Sequence, residues 1–218
     1  MELTGRSEVG ADGSIEGDMT IHGIGASDPR IRGGLGDAPV GDLSTYFADL
    51  VGGLGPGVEV TQYAMTDPRD FSRDAEIKLH YRVPRYASVG ESLLGFVPPA
   101  IRVASDNLRL CRLLAFNKAE GGRRHDALVW FSQELIAREL VQLPAGFRAD
   151  GKSDSVRVMK DAGSFRGHAV PDGRRLRADL TAITTKRTIP ADQWAGAAEA
   201  ADSLRAFGSR LRWARKGQ

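Results

Sequence analysis

Cys111, within "LRLCRLLAF", is the single thiol in this chain of 218 residues, so covalent catalysis through sulfur would have to begin there. A thiol becomes a nucleophile when a helix start, a cation or a neighbouring base lowers its pKa. The residues around Cys111 are mostly leucines and arginines, with no glycine or aromatic elbow, and they predict a buried structural cysteine. The four histidines, His22, His80, His125 and His168, stand singly. His22 and His80 fall on the polar side of alternating stretches, where a solvated imidazole is expected. No His-x-His, Cys-x-x-Cys or His-Glu-x-x-His spacing is present to hold a metal. Asp70 and Asp74, in "DPRDFSRDAE", lie on a predicted turn, but they are too few for a calcium loop. The segment "GGLGDAPVGD" has glycines without the lysine or the strand-to-helix frame of a phosphate loop. No catalytic residue, cofactor site or metal site is therefore assigned. A binding role could use exposed aromatics, and Tyr63, Tyr86, Trp130 and Trp194 are the candidates. Trp130 and Trp194 are expected to pack in the core or where helix meets sheet.

The elements that would position these residues are mostly strands. In "SIEGDMTIHG", Ile15, Met19 and Ile21 alternate with Glu16, Asp18, Thr20 and His22. Further strands are predicted at Val58–Met65, at Ala75–Val83, and around Ser92–Val97, where Pro98–Pro99 stops the ladder. "GDLSTYFADLVGG" predicts a short helix near 42–52, with Asp42 as N-cap and Leu43, Tyr46, Phe47 and Leu50 on its buried side. The passage with Gly33, Gly34, Gly36 and Gly41 reads as a glycine-rich loop and 99–122 as an irregular crossing. Strand signals return from Arg123, then at Ser155–Met159, Ser164–Val170 and Leu176–Ala182, with a bulge expected at Ile183. Residues 190–218 predict a C-terminal helix whose end carries Arg210, Arg212, Arg215 and Lys216, where the helix dipole favours cations.

"FSQELIARELVQLPAGF" (131–147) is ambiguous. Its composition favours a helix, yet Leu135, Ala137, Glu139, Val141 and Leu143 share a period of two. A helix running into Leu143–Pro144 would force the residue before proline out of the helical region. With strands on either side, Glu134–Leu143 is assigned to a sheet. The fold expected is mainly β: an antiparallel, jelly-roll-like sandwich over 1–189, divisible at the crossing into 1–98 and 123–189, followed by the 190–218 helix.

Composition narrows function without naming it. The chain is 41% hydrophobic and 27% charged with a net charge of +2, which makes no case for nucleic acid or a membrane surface. No apolar run reaches the length of about 20 residues that a membrane helix needs. "MELTGRSEVG" lacks a charged-then-apolar export pattern. An export signal is expected upstream, in a longer precursor, which would place the chain outside the cytoplasm.

Several phrases in order give the sequence a family resemblance. "DGSIEGDMTIHG", "LSTYFADL", "YRVPRYASVGESLLGFVP", "RRHDALVWF", "ELVQLPAGF", "SFRGHAV…GRRLRADLTAI" and "TIPADQWAGAAEAADSL" together resemble the C-terminal β-rich domain of bacterial proteins with a transglutaminase-like, papain-type core. Asp126 stands where that family often has proline. The resemblance implies a non-catalytic β-sandwich that packs on, or positions substrate for, a peptidase or amidase core in the same polypeptide. The core's catalytic Cys, His and Asp have no counterparts to carry over. The alternative is a stand-alone sandwich that binds carbohydrate through aromatics or peptide along a sheet edge.

Overall fold

The computed structural model describes residues 1–36, 43–118, 123–129 and 132–217. Its centre is an eight-stranded sheet of β1 (Glu2–Val9), β2 (Ile15–His22), β3 (Glu59–Met65), β4 (Glu76–Val83), β8 (Gln133–Gln142), β10 (Asp154–Met159), β11 (Gly163–Asp172) and β12 (Arg175–Thr184). The order is β10-β11-β12-β8-β1-β2-β4-β3, antiparallel throughout except for the parallel β1–β8 pair. A four-stranded sheet joins β5 (Ser88–Val89), β6 (Leu93–Phe96), β14 (Arg212–Lys216) and β9 (Phe147–Ala149), in the order β5-β6-β14-β9. A short ribbon pairs β7 (Ala127–Leu128) with β13 (Thr188–Ile189). The helices are α1 (Asp28–Gly36), α2 (Leu43–Leu50), α3 (Pro99–Asp106) and α4 (Trp194–Ser209). The fold is mainly β and sandwich-like.

Alternation decides which way the large sheet faces. Along β8, Leu135, Ala137, Glu139 and Val141 are buried, while Glu134 and Arg138 are exposed. Neighbouring strands repeat the pattern through Leu3, Ile15, Met19, Ile77, Leu79, Ala178 and Leu180, all buried. This inner side packs against α3, α4 and the small sheet, whose Leu94, Phe96 and Ala214 enter the same core. The opposite side is polar and exposed, the usual one-sided burial of an antiparallel sheet.

The disputed segment is therefore a strand. Its exit is the turn Pro144–Phe147, where the Phe147 N–H donates to the Pro144 carbonyl at 3.1 Å and Gly146 takes φ 82. Helix α2 lies where expected, although Asp42, Trp130 and Phe131 fall outside the described residues.

Four expectations are corrected, and one strand, β1, was not foreseen. Strand β1 lies within a stretch that showed no pattern, because Gly5 and Ser7 occupy inner positions where apolar residues would have signalled it. Residues 28–36 are helix, not loop: Asp28 starts α1 and Ile31 and Leu35 bury one side. The 99–122 crossing contains α3, in which Pro99 sits in the first turn, where its missing N–H costs nothing. No bulge occurs at Ile183, and β12 stays in register with β8 and β11 through Thr184; the irregularity lies between Val60 and Gln62 in β3. Helix α4 ends at Ser209, and the arginines after it alternate as strand β14. Arg210 and Arg212 are held by Asp154 at 2.8 and 3.1 Å, so an ion-pair cluster holds them rather than the helix dipole.

Candidate functional site

Cys111 is buried beside the inner layer, 1% exposed, and burial pushes its thiol up to about 12. No thiolate forms near neutrality at such a site. The histidines sit apart from it, on the exposed side of the large sheet or on loops. His80 Nδ1 is 2.8 Å from Asp18 and its Nε2 is 3.0 Å from Glu16. The two ring nitrogens thus point at different carboxylates. These hydrogen bonds, Asp18 first and then Glu16, raise the His80 pKa by favouring the imidazolium. His22 pairs with Asp74 at 3.3 Å, and His168 lies 3.9 Å from Asp179. Among the described residues, no three of His, Cys, Asp and Glu converge where a metal ion could sit.

The turn holding Asp70 and Asp74 is organised by a guanidinium. Arg32, 6% exposed, donates to Asp28 at 2.7 Å and to the backbone carbonyls of Asp70 and Arg73 at 2.8 and 2.6 Å. Carbonyl oxygens that might have faced a cation already face Arg32. Asp28 in turn accepts the Ala75 N–H at 2.6 Å, which ties α1 to the start of β4.

Among the described residues, Tyr63, Tyr86 and Trp194 do not form a platform. Tyr63 packs on Phe47 with ring centres 4.7 Å apart. The Tyr86 hydroxyl donates to the Val97 carbonyl at 2.6 Å. Trp194 is buried against Phe116, and its indole N–H donates to the Asn117 carbonyl at 2.7 Å.

The exposed face of the eight-stranded sheet is a broad surface that could receive a partner. On β1, β2, β3 and β4 it carries Glu2, Glu8, Glu16, Asp18, Glu59 and Glu76 against Arg6, Lys78 and Arg82, so acid predominates. On β8, β10, β11 and β12 it carries Arg138, Arg157, Arg166, Arg175 and Arg177 against Glu134, Asp172 and Asp179, so base predominates. Between the halves lie the half-exposed Ile136 and Leu140 of β8, with Thr4 of β1 and Thr181 of β12, around a shallow depression of about 380 Å³.

Beneath this face, on the inner side, lies a buried carboxyl. Glu139 accepts the Ser7 hydroxyl at 2.7 Å and the Ala100 N–H in the first turn of α3 at 2.6 Å. Gly5 leaves it room, since a Cβ there would collide with the carboxyl and approach the Ala100 Cβ to 2.9 Å. Burial raises Glu139 to about 7, against the opposing pull of those two hydrogen bonds. In the sequence Glu139 is the one charged member of the period-two set Leu135, Ala137, Glu139, Val141 and Leu143. Its placement opposite Gly5 and close to Ser7 was a signal that the pairing of β1 with β8 makes visible.

No family model matches this chain, and no curated protein matches it. One solved structure is similar in part, described as a "putative protease" from Parabacteroides distasonis ATCC 8503. The TM-score is 0.46 and the identity 14%, over 57% of this chain and 24% of that one. This chain thus spans about a quarter of that protein's length.

Proposed function

We propose that this chain is a non-catalytic β-rich module of a transglutaminase-like protein outside the cytoplasm, where it packs on a papain-type peptidase or amidase core in the same polypeptide or positions that core's substrate. The observation that carries the reading is the uncovered face of eight strands. It is divided into an acidic and a basic half around Ile136 and Leu140, which gives a docking partner both apolar contact and orientation. The ordered resemblance of its phrases to the C-terminal domain of such proteins supports the occupant. The buried, protonated Cys111 supports a supporting role rather than thiol chemistry in this part of the chain.

The test is co-expression of this chain with the upstream part of its own gene product. Reversing charge on the basic half, Arg138→Glu with Arg177→Glu, should weaken co-purification while leaving the melting of the module unchanged. An upstream region without a papain-type core, or unchanged association of the charge-reversed chain, would overturn the reading.

A further inference from the structure

We infer that the outer face of the small sheet binds an acidic glycan, with Trp213 stacking on a pyranose ring and Arg148 pairing with a carboxylate of the sugar chain. This goes beyond the module reading and does not depend on it.

The ring geometry comes first. A Cβ placed on Gly95 would lie 2.7 Å from Cζ3 of Trp213 and 3.1 Å from each ring neighbour, Cε3 and Cη2. A carbon at the rim of the ring would be clearly farther from those neighbours than from Cζ3. Distances this similar place it above the ring plane. The indole therefore lies flat on the backbone of β6, which requires glycine at position 95, and its other face turns to solvent. Trp213 is 43% exposed, and among the described residues its indole N–H has no acceptor.

Hydrogen-bonding groups surround the ring. Arg215 lies directly opposite Arg148, and the Asp150 N–H donates to the Trp213 carbonyl at 2.8 Å, so all four side chains share one face. Asp150 holds the Arg215 guanidinium at 3.0 and 3.2 Å. Arg148 has no ion-pair partner among the described residues, which leaves two opposed cations with one carboxylate between them. Arg148 also lines an open groove of about 740 Å³ together with Arg174, and among the described residues no carboxylate side chain lines that groove. An anionic ligand complements this surplus of positive charge.

The backbone argues for sugar over peptide. Strand β14 is paired on both sides, with β6 and with β9, so around Trp213 no ladder positions remain open to an added strand. A ligand here must be held by stacking and side chains, as a pyranose with hydroxyl and carboxylate groups can be.

The test is titration calorimetry of the whole chain with oligogalacturonate at low salt, with maltohexaose as the neutral counterpart. Oligogalacturonate should bind, and Trp213→Ala and Arg148→Gln should each weaken binding by about tenfold, the scale of one lost stacking or charge-assisted contact. Trp213→Tyr should keep most of the affinity, and thermal melts should confirm that the variants fold. Absence of oligogalacturonate binding, equal binding by the variants, or maltohexaose binding as tightly as the acidic sugar would overturn the inference.

Discussion

Replacing Glu139 with glutamine should remove a pH dependence from the stability of this fold. In the folded chain the carboxyl keeps its proton up to about 7, whereas its ordinary value is 4.5. Between those values the unfolded state has released a proton that the folded state still holds, so stability falls as pH rises. The contribution is intact below about 4.5 and is lost as pH climbs through 7. At about 1.4 kcal/mol per pH unit, the interval corresponds to about 3 kcal/mol. Glutamine mimics the neutral acid: its carbonyl can accept the Ala100 N–H and its amide can donate to the Ser7 hydroxyl. The assay is urea unfolding of both proteins at pH 4.5 and pH 8. The stability of Glu139→Gln relative to the parent should rise by about 3 kcal/mol across that range, because every other titrating group cancels in the comparison. A difference that stays flat would mean that Glu139 titrates in the fold as it does in the unfolded chain, and the reasoning from burial would fail.

Other outcomes follow from the same geometry. The His80 imidazole should titrate above 6.5 by NMR, and Asp18→Asn should lower its pKa further than Glu16→Gln, the order in which the two carboxylates act. Its contribution to stability is present below 6.5 and disappears as pH rises through the raised value. Cys111 should resist iodoacetamide at pH 8 in the native state and react at once in denaturant, and fast native labelling would contradict its burial. Arg32→Met should cost about 2–4 kcal/mol, read by chemical denaturation, since it leaves Asp28 and the carbonyls of the 67–73 turn without their shared donor. A loss below about 0.5 kcal/mol, typical of an exposed pair, would refute that role.

Strands with apolar residues at every second position were legible from sequence. In β4, Ile77, Leu79, Tyr81 and Val83 carry the pattern without interruption, and β2 does nearly as well. β8 was legible only in context, because its residues favour helix and tertiary pairing with β1 and β12 overrides them. β1 was hidden by the same feature that makes room for Glu139: glycine and serine stand where a core strand would show leucine or valine. Helix α3 was hidden behind Pro98–Pro99, which stops a strand and also opens a helix. Trp213, an exposed aromatic, escaped notice because "RLRWARK" was assigned to a helix end, and the opposing glycine, Gly95, is more than a hundred positions away. Pairing over such distances sets both the buried carboxyl and the surface platform, and no local pattern reports it. The exposed sheet face was legible residue by residue, but its division into acidic and basic halves emerges only from the strand order.

The central claim, that a core domain in the same polypeptide covers the exposed face of the large sheet, is tested most directly by hydroxyl-radical footprinting of this chain alone and of the full-length protein. The account predicts that Ile136 and Leu140 are modified in the isolated chain and protected in the full-length protein, while Trp213 on the small sheet reacts alike in both. Equal modification of Ile136 and Leu140 in the two proteins would contradict it.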